Sequence, residues 1–302
     1  MVVRSEQDPR NENILIYVDG ALVPKQEAVV SVYDSGFMLG DGIWEGLRVH
    51  DGIFAFLEEH LDRLYEGAVA IDLDIGMSRE ALIHALHETL RANDMTEDAH
   101  IRLMVTRGRK KAPFQDPRLS VFGSTVVIIP EFKRASEETA ERGLRLHTVP
   151  MIRGLPMTQD PKLNSHSKLN CILALIHALK AGADEALMLD VSGFVNTTNS
   201  TNFFIVRKGE IWTSTGDYCM NGITRRKVIE LCRQNDIPVF QRNYSLVDCY
   251  GAEEAFVTGT FGGLTPVVEI DGRRIGEGKA GPLYRRLKKL YQELVARHIS
   301  SR

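Results

Sequence analysis

Two amines and three groups suited to anions are the parts of this chain whose types and spacing could do chemistry. Lys162 and Lys168 stand in DPKLNSHSKLN at 160–170, just before an apolar stripe at helical spacing: Ile172, Leu173, Leu175, Ile176 and Leu179. A lysine at the mouth of such a helix is held by rigid structure and can reach into a cleft, where its amine can attack a carbonyl and carry protons. The plain alternative for either one is a solvated surface lysine. Further on, NGITRR at 221–226 opens a second helix. Gly222 frees the turn, and the amides of Ile223 and Thr224 point along an axis whose dipole favours a dianion. A turn with an ordinary N-cap would read the same way. Thr258-Gly259-Thr260, after the strand AFV, is a second turn able to cradle an anion. Arg63 in EEHLDRL offers a guanidinium fork of the right shape for phosphate, although an arginine behind two acids on a helix is usually a surface ion pair.

The elements that must hold these groups come from periodicity and turn chemistry. Residues 14–18 and 21–24 read as strands around Asp19-Gly20, and 34–42 as a glycine-rich loop. Residues 43–49 and 53–57 form a second hairpin around Asp51-Gly52. A helix from Glu58 sets Leu61, Leu64, Ala68 and Ile71 on one face, and Ser78 caps the next. Strands at 100–106 and 124–129 are joined by a basic loop. The charged, aperiodic stretch 132–140 is the expected linker between a small N-terminal α/β domain, 1–131, and a larger C-terminal domain, 141–302. In the latter, strands are expected at 144–150, 186–189, 202–206, 210–213, 238–243, 254–258 and 267–270, with helices at 224–234, 245–250 and 281–299. Mixed strands and helices in two lobes, with the chemistry between them, is the architecture this implies.

Composition narrows the class. The chain has 302 residues and a formal charge of −3, with both signs interspersed, which argues against a nucleic-acid groove or an anionic membrane surface as partner. The four cysteines show no CxxC spacing and read as free thiols suited to a reducing cytoplasm. The polar start and the lack of a long apolar run point to a soluble, cytoplasmic protein. His60 and His166 have no partners at metal-ligand spacing, so no metal is expected and both read as polar structural residues.

Seven segments in order resemble the class IV aminotransferases, the fold type IV family that includes branched-chain and D-amino-acid aminotransferases. They are GDGIWEGLRV at 40–49, EEHLDRL at 58–64, IRLMVTRG at 101–108, DPKLN at 160–164, GADEALMLD at 182–190, NGITRRKVIELC at 221–232 and TGTFGGLTPV at 258–267. The resemblance implies a mixed α/β, two-domain fold with its site between the domains, pyridoxal 5'-phosphate as cofactor, and a homodimer. It also implies amino transfer from an amino acid or amine to a 2-oxo acid, with branched-chain substrates as one model. Elimination of the aminodeoxychorismate lyase type, on the same scaffold, is an alternative, as is a member whose catalysis is lost or changed.

By the same resemblance, Arg63, Ile223, Thr224 and Thr260 would hold the phosphate. Arg102 would lie by the substrate carboxylate, and Leu39, Trp44 and Phe261 would line the substrate side, Trp44 being equally suited to a core. Arg107, at odd separation from Arg102 along the strand, is the poorer clamp. Two positions depart from the family pattern. Asn164 stands where the Schiff-base lysine is expected, leaving Lys168, one turn on, or Lys162, two residues back, to replace it. Thr197 stands where a glutamate would keep the pyridine nitrogen protonated. A hydroxyl there makes the ring a weaker electron sink.

Overall fold

Strand β3 of the N-terminal region shows how alternation builds this fold. In the computed structural model, which describes residues 8–301, β3 (Gly42–His50) buries Ile43, Leu47 and Val49 on one face, with Glu45 among them. Its other face carries Trp44, Gly46 and Arg48. Around it lies an antiparallel sheet in the order β2-β1-β6-β5-β3-β4, from β1 (Leu15–Val18), β2 (Ala21–Pro24), β4 (Ile53–Phe54), β5 (Ala99–Thr106) and β6 (Thr125–Phe132). Helices α2 (Leu57–Ala70) and α3 (Arg79–Ala92) supply Leu61, Leu64, Leu82 and Leu86 to the core beneath that sheet. Ser78 caps α3 by accepting from the Ala81 amide. The stretch 34–42 is more than a loop. Asp34 caps a short helix, α1 (Ser35–Leu39), and Gly40 ends it in the left-handed region at φ 69°.

The chain forms two compact units. The first comprises residues 8–134 together with Leu163–Lys168 and residues 298–301; the second comprises Ala135–Lys162 and Leu169–Arg297. The second unit is built on a sheet in the order β12-β11-β10-β13-β14-β7-β8-β9, with β15 beside β14. Its strands are β7 (Leu144–Thr148), β8 (Glu185–Leu189), β9 (Val195–Thr198), β10 (Asn202–Arg207), β11 (Glu210–Thr213), β12 (Val239–Gln241), β13 (Glu254–Gly259), β14 (Gly263–Ile270) and β15 (Arg273–Arg274). β7 runs parallel to both β14 and β8, while β10, β13 and β14 are antiparallel neighbours. The helices are α4 (Glu137–Arg142), α5 (Pro156–Gln159), α6 (Leu169–Lys180), α7 (Ile223–Gln234), α8 (Leu246–Tyr250) and α9 (Pro282–Ser300). Phe203, Phe204 and Phe256 are wholly buried in the central strands, which reads as a sheet covered on both faces.

Two features go beyond the expected elements. Between the strands expected at 186–189 and 202–206, residues 195–198 form β9 on β8, with a register shift at Met188/Leu189. The stripe on α6 is present, but it does not form the core. Ala174 and Ala178 are fully buried, whereas Ile172, Leu173, Ile176 and Leu179 are 53%, 41%, 40% and 47% exposed. Small side chains let α6 approach β8 closely. Because the helix is apolar nearly all round, its periodicity could not say which face would be chosen.

Candidate active site

In the first unit, the centre is a carboxylate with no access to water. Glu45 is fully buried on β3, and α2 brings His60 and Arg63 to it from one helical turn. Arg63 Nε and Nη2 each donate to the carboxylate at 2.7 Å, and His60 Nδ1 meets Oε2 at 2.7 Å. A carboxylate can only accept, so His60 Nδ1 carries the proton. Burial works to raise the Glu45 pKa, yet the Arg63 charge and the bonds from His60 and Arg63 outweigh it, and the net shift is downward. The third arginine nitrogen, Nη1, is buried with no acceptor among the described residues. The fork is clamped on one side and open on the other. The two acids that precede Arg63 on its own helix are not its partners; the carboxylate it binds lies on a neighbouring strand.

The opposite face of the same sheet carries the candidate amine. Segment 163–168 lies along the start of β3 as a short antiparallel addition, bridging Ile43 and Ser165. The Trp44 amide donates to the Asn164 carbonyl at 3.0 Å, Asn164 Nδ2 returns a bond to the Trp44 carbonyl, and Trp44 Nε1 donates to the Ser165 carbonyl. His166 Nε2 sits 2.9 Å from the Ile43 carbonyl. Burial pulls the His166 pKa down, and Arg102 and Lys168 push the same way, so the ring is neutral near pH 7. The Arg102 guanidinium stacks 4.1 Å over the Trp44 ring, and Lys168 Nζ lies 5.9 Å from the same centroid. Trp44, Arg102 and Lys168 therefore share one neighbourhood. Leu39, exposed, ends α1 in this unit. Arg107 is engaged elsewhere, on Asp41 and on the Ile71 and Asp72 carbonyls. Lys162 belongs to the second unit and is exposed, in a turn where its amide donates to Asp160.

The second unit presents an uncapped helix. Gly222 is the N-cap of α7 and offers no side-chain cap, and the first turn holds no acid. The first bond back into the turn is from the Arg226 amide to the Gly222 carbonyl, so the leading amides of Ile223 and Thr224 have no acceptor among the described residues. Gly222 is required there, because a Cβ would lie 2.4 Å from Asn202 Oδ1, which accepts the Gly222 amide. Thr224 is buried, and its hydroxyl bonds the Tyr291 phenol, partly offsetting the rise that burial gives that phenol's pKa. Thr258 stands opposite Asn202 in the ladder, and its buried hydroxyl has no partner among the described residues. Thr260 and Phe261 lie partly exposed in the turn from β13 to β14. Thr197 is buried, and its hydroxyl donates to the Thr201 carbonyl at 2.6 Å, so its proton is committed.

In the first unit Arg63 Nη1, and in the second the leading α7 amides and the Thr258 hydroxyl, are donors without acceptors among the described residues, and each is of a kind that fits a phosphate ester. Glu45 and Asn202, whose positions along the chain carry little sign of this chemistry, fix Arg63 and the Gly222 amide in place. A charged residue at an inward position of a strand was the one available signal for Glu45.

Both units are mixed α/β, each a sheet with packed helices and each carrying donors suited to an anion. The chain belongs to the class IV aminotransferases: the family model described as Amino-transferase class IV matches residues 42–270. It is 42% identical over 286 residues to branched-chain-amino-acid aminotransferase-like protein 2 of Arabidopsis thaliana, covering 95% of this chain and 51% of that one. The chain thus spans about half the length of that curated relative. It is 34% identical to the branched-chain-amino-acid aminotransferase of Pseudomonas aeruginosa, with 93% of each covered. Among solved structures, the T.th. branched-chain amino acid aminotransferase with pyridoxamine 5'-phosphate superposes with a TM-score of 0.88 at 33% identity, covering 94% of both chains. Pyridoxal 5'-phosphate is the cofactor of this family, and no helix among the described residues is long and apolar enough to cross a membrane.

Proposed function

We propose that this protein is a pyridoxal-phosphate transaminase that moves an amino group between an amino acid or amine and a 2-oxo acid, with branched-chain substrates the leading class. The observation that carries this reading is Arg63, clamped through two nitrogens on a buried carboxylate while the third is buried without an acceptor. When bound, the cofactor supplies an aldehyde that takes up the amine and a ring that draws off electrons. Arg63, Ile223, Thr224 and Thr260 bind its phosphate. Lys168 is the assigned covalent anchor and moves the proton at the substrate α-carbon. Arg102 binds the substrate carboxylate beside Trp44, and the apolar surfaces of Leu39, Trp44 and Phe261 exclude water. Two copies associate in this reading, supported by the exposed apolar side chains of α6.

A second reading has its own support. The Asn164 amide and the Thr197 hydroxyl, at the two positions where the family pattern calls for lysine and glutamate, are both used inside the protein. That favours a member whose catalysis is changed or lost, the cofactor being held without a covalent anchor. Borohydride reduction of the protein with cofactor, followed by peptide mapping, separates the two. Fixation at residue 168, abolished in Lys168→Ala and kept in Lys162→Ala, supports the first. Retained cofactor with no fixed peptide supports the second, and no retained cofactor removes both. A panel of L- and D-amino acids and amines with pyruvate or 2-oxoglutarate then reads the substrate class.

A further inference from the structure

Arg225, three residues into the phosphate-binding end of α7, is buried to 3% exposure, yet every partner it has is neutral. Nη2 donates to the Ser214 carbonyl at 2.6 Å and to Gln241 Oε1 at 3.0 Å, and Nη1 donates to Asn221 Oδ1 at 3.1 Å. Nε is buried without an acceptor. Among the described residues no carboxylate forms an ion pair with this guanidinium, and burial pulls its pKa down while the nearby Cys219 and Tyr244 oppose that. A buried charge without a counter-charge is costly, and natural folds rarely keep one without a use. Two independent features beside it want an anion. The α7 amides are uncapped, and the Thr258 hydroxyl, 2% exposed and without a partner, lies on the same sheet face as Asn202, which fixes the Gly222 amide.

We infer that Arg225 is a positioning residue for the phosphate: it ties the 214–222 loop to α7 and supplies the buried positive charge that a bound dianion neutralises. This rests on the cofactor reading above and adds the residue that shapes its anionic end. The tie has a geometric reason. Asn221 accepts from Arg225 and donates to the Gly216 carbonyl, and Gly216, at φ 91°, leaves no room for a Cβ, which would lie 2.3 Å from Asn221 Oδ1. Loop and helix start are thus fixed as one piece before any ligand arrives, which lowers the ordering cost of binding.

The test uses the full chain freed of cofactor, with inorganic phosphate, pyridoxal 5'-phosphate and unphosphorylated pyridoxal as probes, read by thermal shift and equilibrium dialysis. Wild type should be stabilised by the two phosphate-bearing probes, and Arg225→Gln should bind them about tenfold or more weakly. Its affinity for pyridoxal should change little, and Arg225→Lys, which keeps the charge, should recover part of the loss. A variant that melts earlier without ligand but keeps the wild-type phosphate affinity assigns Arg225 to structure alone and overturns the inference. Should Arg225→Gln not fold, Arg225→Lys decides, since unchanged phosphate affinity with the fork removed and raised salt without effect would likewise overturn it. If wild type responds to none of the probes, the cofactor reading itself fails.

Discussion

Replacing Arg63 by methionine tests the clamp that carries the functional reading, and its effect can be worked from the structure. The side chain of Glu45 is 0% exposed and that of Arg63 17% exposed, with the closest N–O separation 2.7 Å. Removing one partner of such a pair leaves a charge in a water-free site, which costs about 3–5 kcal/mol. Removing both, in Glu45→Leu/Arg63→Met, should recover most of that and leave about 1–2 kcal/mol for the orphaned His60 Nδ1–H. The pH dependence gives a second check. In wild type the Glu45 pKa is lowered, so its contribution is present above the ordinary value and is lost as pH falls through the lowered one. In Arg63→Met only burial and His60 act, and with burial dominant the pKa rises. The penalty is then relieved as pH falls, so the gap between wild type and variant narrows from about pH 7 toward 5. Urea unfolding of cofactor-free protein measures this. Trp44 lies in the first unit and Trp212 in the second, so a Trp212→Phe background lets fluorescence follow the unit that contains the clamp. A loss below about 1 kcal/mol, or a gap that widens on acidification, would refute the reasoning.

Two further predictions follow from burial. Leu173→Glu places a charge in the middle of the exposed α6 stripe, so on the proposed association of two copies light scattering should show a wild-type dimer and a monomeric variant, with little change in monomer stability. A variant that remains dimeric would show that another surface joins the copies. His100 has its pKa pulled to about 3, chiefly by burial, with Arg48 and Lys133 adding to it. Its folded value lies below its unfolded one, so the stability it contributes is complete above about pH 6.5 and is lost as pH falls toward 3. Melting curves between about pH 4 and 7 should therefore be flatter for His100→Gln than for wild type, and equal slopes would contradict the assignment.

The sequence alone determined a good deal, wherever the deciding interaction is local. Ser78 three residues before its amide partner announced α3, Gly222 announced the open start of α7, and Asp51-Gly52 announced the turn of a hairpin. The family motifs, spread along most of the chain, were likewise readable without coordinates. Contacts between distant segments were not. Only the tertiary structure paired Glu45 with Arg63 on the next helix, turned the Asn164 amide onto the Trp44 carbonyl, spent the Thr197 proton on Thr201, and gave Arg225 its three neutral acceptors. It also chose Ala174 and Ala178 over their larger neighbours as the buried face of α6. Helix period and turn residues are set by a few adjacent φ/ψ angles, so one stretch of chain encodes them. The partner of a buried charge, or the face a helix hides, depends on which remote strand arrives beside it, and spacing along the chain carries no record of that.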